Sequence, residues 1–145
     1  MHRSTNLVVI AGASGVGKDV IIEELFLRGL PIERVITTIS RPKRPGEIEG
    51  RVHYFASKEE MQKKLENNEL AEWANVYGNL YGVTIEELNR VRVLKDKIGI
   101  WRIEEQGVRT ARKRYPDILT IGITATREAL LKRSASRGDE EEQIK

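Results

Sequence analysis

The chain has 145 residues, with 25 Lys and Arg against 22 Asp and Glu, so its formal net charge is +3. This length suits one domain, and the mixture of both signs argues against a protein that coats nucleic acid. The absence of cysteine excludes disulfide frameworks and thiol catalysis. The longest apolar run, Leu7 to Ala11, is far shorter than the ~20 residues that cross a bilayer, and no signal peptide is visible. We therefore expect a cytoplasmic protein with no nucleic-acid or membrane partner.

Strand-like and helix-like segments alternate along the chain. A continuous apolar strand over 7–11 precedes a helix from about Lys18 to Arg28, whose expected core face is Val20, Ile21, Leu25 and Phe26. Capping boxes beginning at Ser57 and Thr84 open two further helices. The other expected segments are strands at 34–38, 71–77, 80–83, 98–103 and 118–124, and helices over 104–115 and from 126. This alternation, with a hairpin turn at Gly78-Asn79, predicts a three-layer α/β fold.

A glycine-rich loop lies directly between the first strand and the first helix. Its sequence matches the phosphate-binding pattern G-x-x-x-x-G-K over Gly12-Ala13-Ser14-Gly15-Val16-Gly17-Lys18. Glycines let successive N–H groups face phosphate oxygens, and Lys18 reaches the β- and γ-phosphates. We expect this loop to bind a nucleotide, with Lys18 as a catalytic cation. The alternative is a glycine-rich turn with a solvated lysine.

The residue after the loop lysine departs from this pattern. A Ser or Thr usually ligates Mg²⁺ there, whereas this chain has Asp19. A carboxylate is a suitable Mg²⁺ ligand, but it also places negative charge beside a polyanion. We predict that Asp19 belongs to the phosphate site and contacts Mg²⁺, the expected cofactor.

Segment 37–47 carries a candidate second phosphate site. Arg41 and Arg44 lie on a proline-stiffened loop, and planar guanidiniums suit bidentate capture of a phosphate group. Such a loop also occurs as a solvated basic turn. Farther along the chain, Glu72 and Tyr81 add a carboxylate and a hydroxyl on either side of a tight turn.

The order of these motifs resembles the guanylate kinase family from about residue 7 to residue 145. The resemblance depends on the glycine loop, Ser40-Arg41, Gly46-Glu47, Gly50, Glu72-Trp73-Ala74, Gly78-Asn79, Tyr81-Gly82, Gln106-Gly107, Arg133 and Arg137-Gly138. It implies phosphoryl transfer from ATP to GMP with Mg²⁺, in purine nucleotide metabolism, by a monomer or homodimer. The implied fold is a P-loop kinase fold: a mostly parallel sheet with helices on both faces, an inserted mixed β/α GMP-binding region and a lid.

The resemblance also assigns residues to the GMP site. Arg41, Arg44 and Tyr81 would hold the GMP phosphate, and Glu72 would bind the guanine, with Glu104 as a second acidic contact. Guanine presents N1–H and its N2 amino group as adjacent donors, which a carboxylate accepts in bidentate fashion. Adenine lacks this pair of donors, so it would leave polar groups unpaired.

The same resemblance divides the chain into regions. The core would comprise about 1–36 and 96–124, the GMP-binding region about 37–95, and the lid about 125–145. Arg133 and Arg137 would lie on the lid and join Lys18 and Arg41 as catalytic cations. Since the family domain continues through a further strand and helix, we expect its C-terminal part to be absent here, and this chain to be less stable and less active than a complete guanylate kinase.

Three positions in the GMP region depart from the family pattern. The tyrosine that contacts phosphate falls on His53 if no gap is allowed, and we favour its neighbour Tyr54 for that role. Thr37 stands where serine is usual and still offers a hydroxyl. Val83 replaces a Ser or Thr, so one hydrogen bond to guanine is expected to be lost.

Arg102 is the most consequential departure, because it replaces the first aspartate of the pattern D-x-D-x-Q-G. The usual Ser and Asp sum to a charge of −1, whereas Asp19 and Arg102 sum to 0. We hypothesise a compensated exchange, in which the two residues pair with each other or share the metal and phosphate. Two independent changes in a decaying site are the alternative.

Transfer to a phosphate monoester needs no general base, so catalysis would consist of positioning and charge neutralisation. Two other functions fit parts of the sequence. Kinases of ribose bisphosphate resemble this fold and can carry Asp at the position of Asp19. A non-catalytic guanylate-kinase-like module would instead bind a phosphorylated peptide through the arginine loop, although the phosphate loop of this chain is intact.

Overall fold

The computed structural model of the chain describes residues 6–137. In chain order the elements are β1 Leu7–Ala11, α1 Lys18–Leu27, β2 Ile32–Arg34, β3 Thr37–Ile39, β4 His53–Phe55, α2 Lys58–Glu66, β5 Leu70–Val76, β6 Asn79–Thr84, α3 Ile85–Arg92, β7 Ile98–Ile103, α4 Glu105–Arg114, β8 Leu119–Gly122 and α5 Arg127–Arg137. The predicted α/β alternation is confirmed. Within the described part of the chain, the helices are all too short or too polar to cross a bilayer.

The core sheet has the strand order β2-β7-β1-β8, and all of its pairs are parallel. Both faces are covered. On one face Ile10 packs with Ile22 of α1. On the other face Val9 belongs to a cluster that includes Trp101 of β7 and Ala111 of α4. Burial on both faces explains why β1 is apolar throughout. The carboxyl ends of β1 and β7 lie side by side, at the edge of the sheet where the phosphate loop begins.

A second, mixed sheet has the order β4-β3-β6-β5. Strands β3 and β4 are parallel, while β6 is antiparallel to both β3 and β5. The predicted strand 34–38 is wrong as a single element, because β2 belongs to the core sheet and β3 to the second sheet. In the connection between β2 and β3, the N–H of Val35 donates to the carbonyl oxygen of Ile100 in the core sheet. The N–H of Ile36 donates to the Glu87 carboxylate. The chain therefore changes sheets at this point.

The register of the second sheet separates its side chains into two faces. Thr37 pairs with His53, and Ile39 pairs with Tyr81, so these residues share what we call the inner face. Thr38 pairs with Tyr54 and with Gly82, which places them on the opposite, outer face. Because side chains alternate along a strand, neighbours in sequence such as His53 and Tyr54 point in opposite directions.

The expected core face of α1 is wrong in part. Ile22 is fully buried and Leu25 is half-buried, but Val20 is 74% exposed, and Ile21 and Phe26 are each 38% exposed. Apolar residues surround most of this short helix, so their spacing did not identify the side that faces the sheet. Phe26 instead lies beneath the guanidinium of Arg34, 5.7 Å from its ring centre.

The two predicted helix caps differ in the structure. Ser57 and Glu60 form a complete capping box at the start of α2. At α3, the Thr84 hydroxyl accepts a hydrogen bond from the N–H of Glu87, but the Glu87 carboxylate does not return to Thr84. It accepts hydrogen bonds from the N–H of Ile36 at 2.8 Å and from the Arg90 guanidinium. This buried carboxylate therefore ties α3 to the point where the chain changes sheets.

We expect Glu87→Ala to lower the free energy of unfolding by about 2–3 kcal/mol, because it leaves a buried N–H and a guanidinium without their acceptor. The neighbouring Glu86→Ala removes an exposed carboxylate from the same helical turn and should change stability by less than about 0.5 kcal/mol. Urea denaturation of both variants measures the difference. Equal effects would show that Glu87 has no special structural role.

Candidate nucleotide-binding site

Residues 12–18 connect β1 to α1 in the conformation that a phosphate loop needs. Gly15 and Gly17 have φ values of +79° and +106°, in the left-handed region that favours glycine. Gly12 lies against the backbone, since a Cβ atom there would sit 2.6 Å from the carbonyl oxygen of Ile123. The loop can therefore curl tightly at the N-terminus of α1, where N–H groups and the helix dipole favour an anion.

Lys18 is buried beneath this loop. Its ammonium donates to the carbonyl oxygens of Gly12 and Ala13 and lies 3.4 Å from the Glu104 carboxylate. Burial lowers the pKa of Lys18, while the negative charge of Glu104 opposes that shift. The loop thus holds Lys18 in a defined position next to the end of β7.

A cavity of about 700 Å³ opens over the loop. It is lined by residues 14–21 together with Arg102 and Arg133. Arg133, on α5, donates to the carbonyl oxygen of Val16 at 3.0 Å, so the predicted lid arginine contacts the loop directly. Arg137 is the last residue of α5, and its side chain lies outside the part of the structure that is described.

Asp19 and Arg102 are paired, as one form of the exchange hypothesis predicted. Asp19 Oδ1 lies 3.0 Å from Arg102 Nε and 3.6 Å from Arg34 Nη1. The contacts are ionic, because the N–H groups are not aligned for hydrogen bonds. Half of the Asp19 side chain is exposed although Oδ1 is buried, so its other oxygen provides the accessible surface.

On the acceptor side, Glu72 lies buried in β5 and faces α4. Gly107 permits this arrangement, since a Cβ atom on Gly107 would collide with the Glu72 carboxylate. Burial raises the pKa of Glu72 to about 7, and the nearby charge of Glu104 adds to the shift. Glu104 therefore lies between Lys18 of the phosphate loop and Glu72 of the second sheet.

Arg41 lies where the loop leaves β3. It forms a bidentate pair with Glu47, with N–O distances of 2.8 and 3.0 Å, and its guanidinium lies over the ring of Phe55. Its hydrogen bonds to Glu47 and Tyr81 raise the pKa of Arg41. Arg41 and Tyr81 are thus brought together as predicted, whereas the Arg44 side chain is exposed on the loop.

The register of the second sheet favours His53 over Tyr54 for the predicted phosphate contact. His53 shares the inner face with Thr37, whereas Tyr54 lines a separate cavity on the outer face with Glu87 and Arg90. Burial, together with the positive charges of Arg102 and Arg41, lowers the pKa of His53 to about 4. Its Nδ1 is buried and makes no hydrogen bond within residues 6–137. Among these residues His53 therefore keeps one buried nitrogen without a hydrogen-bond partner, and the positive charges of Arg102 and Arg41 act on its ring.

The matches with known proteins agree with this geometry. The family model described as guanylate kinase matches residues 4–145. The chain belongs to the guanylate kinase family. Guanylate kinase of Symbiobacterium thermophilum is 38% identical over 92% of this chain, and that of Carboxydothermus hydrogenoformans is 34% identical over 99%. A crystal structure of guanylate kinase from Anaplasma phagocytophilum superposes with a TM-score of 0.74 at 25% identity, covering 94% of this chain. The predicted family and P-loop kinase fold are confirmed.

The chain spans only part of these guanylate kinases. It covers 64% of the Symbiobacterium protein, 70% of the Carboxydothermus protein and 70% of the Anaplasma chain. The residues matched by the family model, 4–145, include both the phosphate loop and the inner face of the second sheet.

In this guanylate kinase family member, the described residues contain no group of three His, Cys, Asp or Glu side chains that could enclose a metal ion. Asp19 offers one accessible carboxylate oxygen at the cavity, and its other oxygen is held by arginine. Nucleotide kinases bind Mg²⁺ through one or two carboxylates together with the phosphates of the substrate. The residues therefore fit an ion that arrives with the nucleotide and has Asp19 as its protein ligand.

Sequence reasoning missed two contributors to the site. Arg34 neutralises Asp19 from the far side and is itself held by Glu23 at 2.6 Å. Gly107 creates the space for Glu72. The Gln106-Gly107 pair was the signal in the sequence that marked this glycine. The contact of Gly107 with Glu72, however, depends on packing between α4 and β5.

Gly107→Ala should weaken GMP binding at least about tenfold, because the added methyl group displaces the Glu72 carboxylate, and should leave ATP binding unchanged. Gln106→Ala changes the exposed neighbour on the same helical turn and is the matched control. Calorimetric titration with each nucleotide distinguishes the two. Unchanged GMP affinity in Gly107→Ala would contradict the assigned role of Glu72.

His53→Phe and Tyr54→Phe test which face of β4 meets the acceptor phosphate. We expect His53→Phe to raise the KM for GMP about five- to tenfold, the contribution of one hydrogen bond, whereas Tyr54→Phe should change it less than about twofold. Steady-state kinetics with saturating ATP provides the measurement. A larger effect at Tyr54 would restore the assignment that the register opposes.

Proposed function

We propose that this chain transfers a phosphoryl group from ATP to GMP, giving ADP and GDP. The observation that carries the proposal is the position of Glu104. It lies 3.4 Å from Lys18 of the phosphate loop and close enough to Glu72 to raise the pKa of that residue. A donor site and an acceptor site therefore adjoin at the end of β7, as direct transfer between two bound nucleotides requires.

Guanine recognition would depend on Glu72. Its carboxylate occupies the space left by the missing side chain of Gly107, and the N1–H and N2 amino groups of guanine match its two oxygens. A buried carboxylate left without donors is costly, so a base that lacks this pair of donors is disfavoured. Thr37 adds a hydroxyl on the same face, whereas Val83 adds none and is buried.

The phosphate of GMP would bind at Arg41, Tyr81 and His53. Glu47 holds the Arg41 guanidinium in one orientation, which lowers the entropic cost of binding the anion. Arg44, exposed on the same loop, would close onto the phosphate from outside. The β3–β6 sheet thereby acts as the GMP-binding region and the α5 segment as the lid.

The chemistry would then depend on positioning and charge. A phosphate oxygen of GMP is largely ionised at pH 7, so no general base is needed for its in-line attack on the γ-phosphorus. Lys18 and Arg133 would stabilise the negative charge from the donor side, and Arg41 from the acceptor side. Mg²⁺, bound with ATP and contacted by Asp19, would neutralise phosphate charge. Arg137 is proposed as a further lid cation.

Release of ADP in the presence of ATP and Mg²⁺ tests this function directly. We expect turnover with GMP, and at least about a hundredfold less with AMP, CMP, UMP or phosphosugars. Lys18→Met should lower kcat at least about a hundredfold and serves as the negative control. Preferred turnover of a phosphosugar would replace the proposal with the ribose-bisphosphate alternative. Phosphopeptide binding without ATP binding would support a non-catalytic module.

The raised pKa of Glu72 predicts a pH dependence of guanine binding. Only the carboxylate form can accept both guanine donors, so affinity should rise with pH up to about 7 and level off above it. Guanosine is the better probe, because the phosphate of GMP itself titrates near ~6. In Glu72→Gln the affinity should be weak and independent of pH. A pH-independent affinity in the unmodified chain would contradict this assignment.

The same shift has a consequence for stability. A carboxyl group whose pKa is raised on folding binds more protons in the folded chain than in the unfolded chain between about 4.5 and 7. Its contribution is therefore complete below about 4.5 and is lost as the pH rises through about 7. Thermal melting of Glu72→Gln should show a weaker decline over this window than the unmodified chain.

A further inference from the structure

Arg102 lies in the donor cavity itself. It is the residue before the last of β7, and the parallel register places it beside Ile10, just before the phosphate loop. It lines the same cavity as Lys18 and Arg133. Its side chain is 21% exposed, so the guanidinium is partly buried but still reaches the cavity wall.

Only one edge of this guanidinium is occupied. Its Nε lies against Asp19 Oδ1 at 3.0 Å, while its Nη2 lies 3.7 Å from Glu104, too far for a hydrogen bond. Within residues 6–137 the Nη groups make no hydrogen bond. A guanidinium carries its N–H donors in a fixed fork that matches phosphate oxygens. Arg102 therefore has free donors at the place where the donor phosphates are expected.

Asp19 fixes this arginine without cancelling its effect on the cavity. Asp19 Oδ1 is shared between Arg102 and Arg34, and Arg34 does not line the cavity. The charged side chains that do line it are Lys18, Arg102, Arg133 and Asp19. Their sum is +1 +1 +1 −1 = +2, which favours a polyanion before any metal ion is counted.

We propose that Arg102 is a donor-phosphate-binding residue, whose guanidinium is oriented by Asp19 and contacts the phosphate oxygens of bound ATP. This inference rests on the proposed function for the identity of the nucleotide. Arg102 would provide some of the positive charge at the phosphates that Mg²⁺ otherwise brings with ATP. Binding of ATP should therefore survive chelation of Mg²⁺ better in this chain than in a variant without the arginine.

The first experiment measures ATP affinity by calorimetry, with Mg²⁺ and with EDTA, for the unmodified chain and for Arg102→Gln. We expect Arg102→Gln to weaken binding in EDTA about tenfold or more, the usual effect of losing one charge-assisted hydrogen bond. With Mg²⁺ present the loss should be smaller. Arg34→Gln is the matched control, since it removes the other partner of Asp19 and should leave the ratio of the two affinities unchanged.

A second variant separates contact from simple neutralisation of Asp19. If Arg102 only masks the charge of Asp19, the double variant Asp19→Asn/Arg102→Gln should bind ATP in EDTA as tightly as the unmodified chain. If Arg102 contacts the phosphates, the double variant should remain about tenfold weaker. Thermal melts show that each variant is folded before it is titrated.

The outcomes are distinct. A double variant that recovers full affinity, or an Arg34→Gln variant that reproduces the loss, would overturn the proposal. ATP binding with the expected pattern but without phosphorylation of GMP would refute the proposed function and leave the role of Arg102 supported. Failure of the unmodified chain to bind ATP at all would refute both.

Discussion

The parallel pairing of β1 with β7 is the constraint on which the candidate site depends. It brings the phosphate loop and the end of β7 to one edge of the core sheet. The contact between Lys18 and Glu104, separated by 86 residues in sequence, exists because of that register. If β7 slipped by one residue against β1, the Arg102 side chain would move to the other face of the sheet, and Glu104, just after β7, would move with it. The two halves of the candidate site would then be separated.

Around this edge, two carboxylates each lie next to a cation. Glu104 lies between Lys18 and Glu72, and Asp19 lies between Arg102 and Arg34. Glu104 helps to hold Lys18 in place, and Asp19 helps to hold Arg102. Within residues 6–137 Glu72 has no such cation, and burial together with the charge of Glu104 raises its pKa to about 7. This is the carboxylate to which the proposed function assigns the two donors of guanine.

Sequence reasoning was most accurate for local features and least accurate for the direction of side chains. The glycine loop, the Ser57 capping box and the hairpin around Gly78 lie where they were predicted. The sequence favoured Tyr54 and the register favours His53, because a position shifted by one residue moves to the other face of a strand. The Glu87 carboxylate does not complete the expected capping box, because it accepts a hydrogen bond from the buried N–H of Ile36, in the connection between β2 and β3.

The sequence by itself determined the phosphate loop, the α/β class and the family, because each depends on consecutive residues or on the order of short motifs along the chain. It also raised the hypothesis that Asp19 and Arg102 are a linked exchange, beside the alternative of two independent changes. Only the tertiary structure decided that they are in contact and that Gly107 makes room for Glu72. Those relations join segments tens of residues apart, and strand register and helix packing, which no local pattern encodes, set their distances.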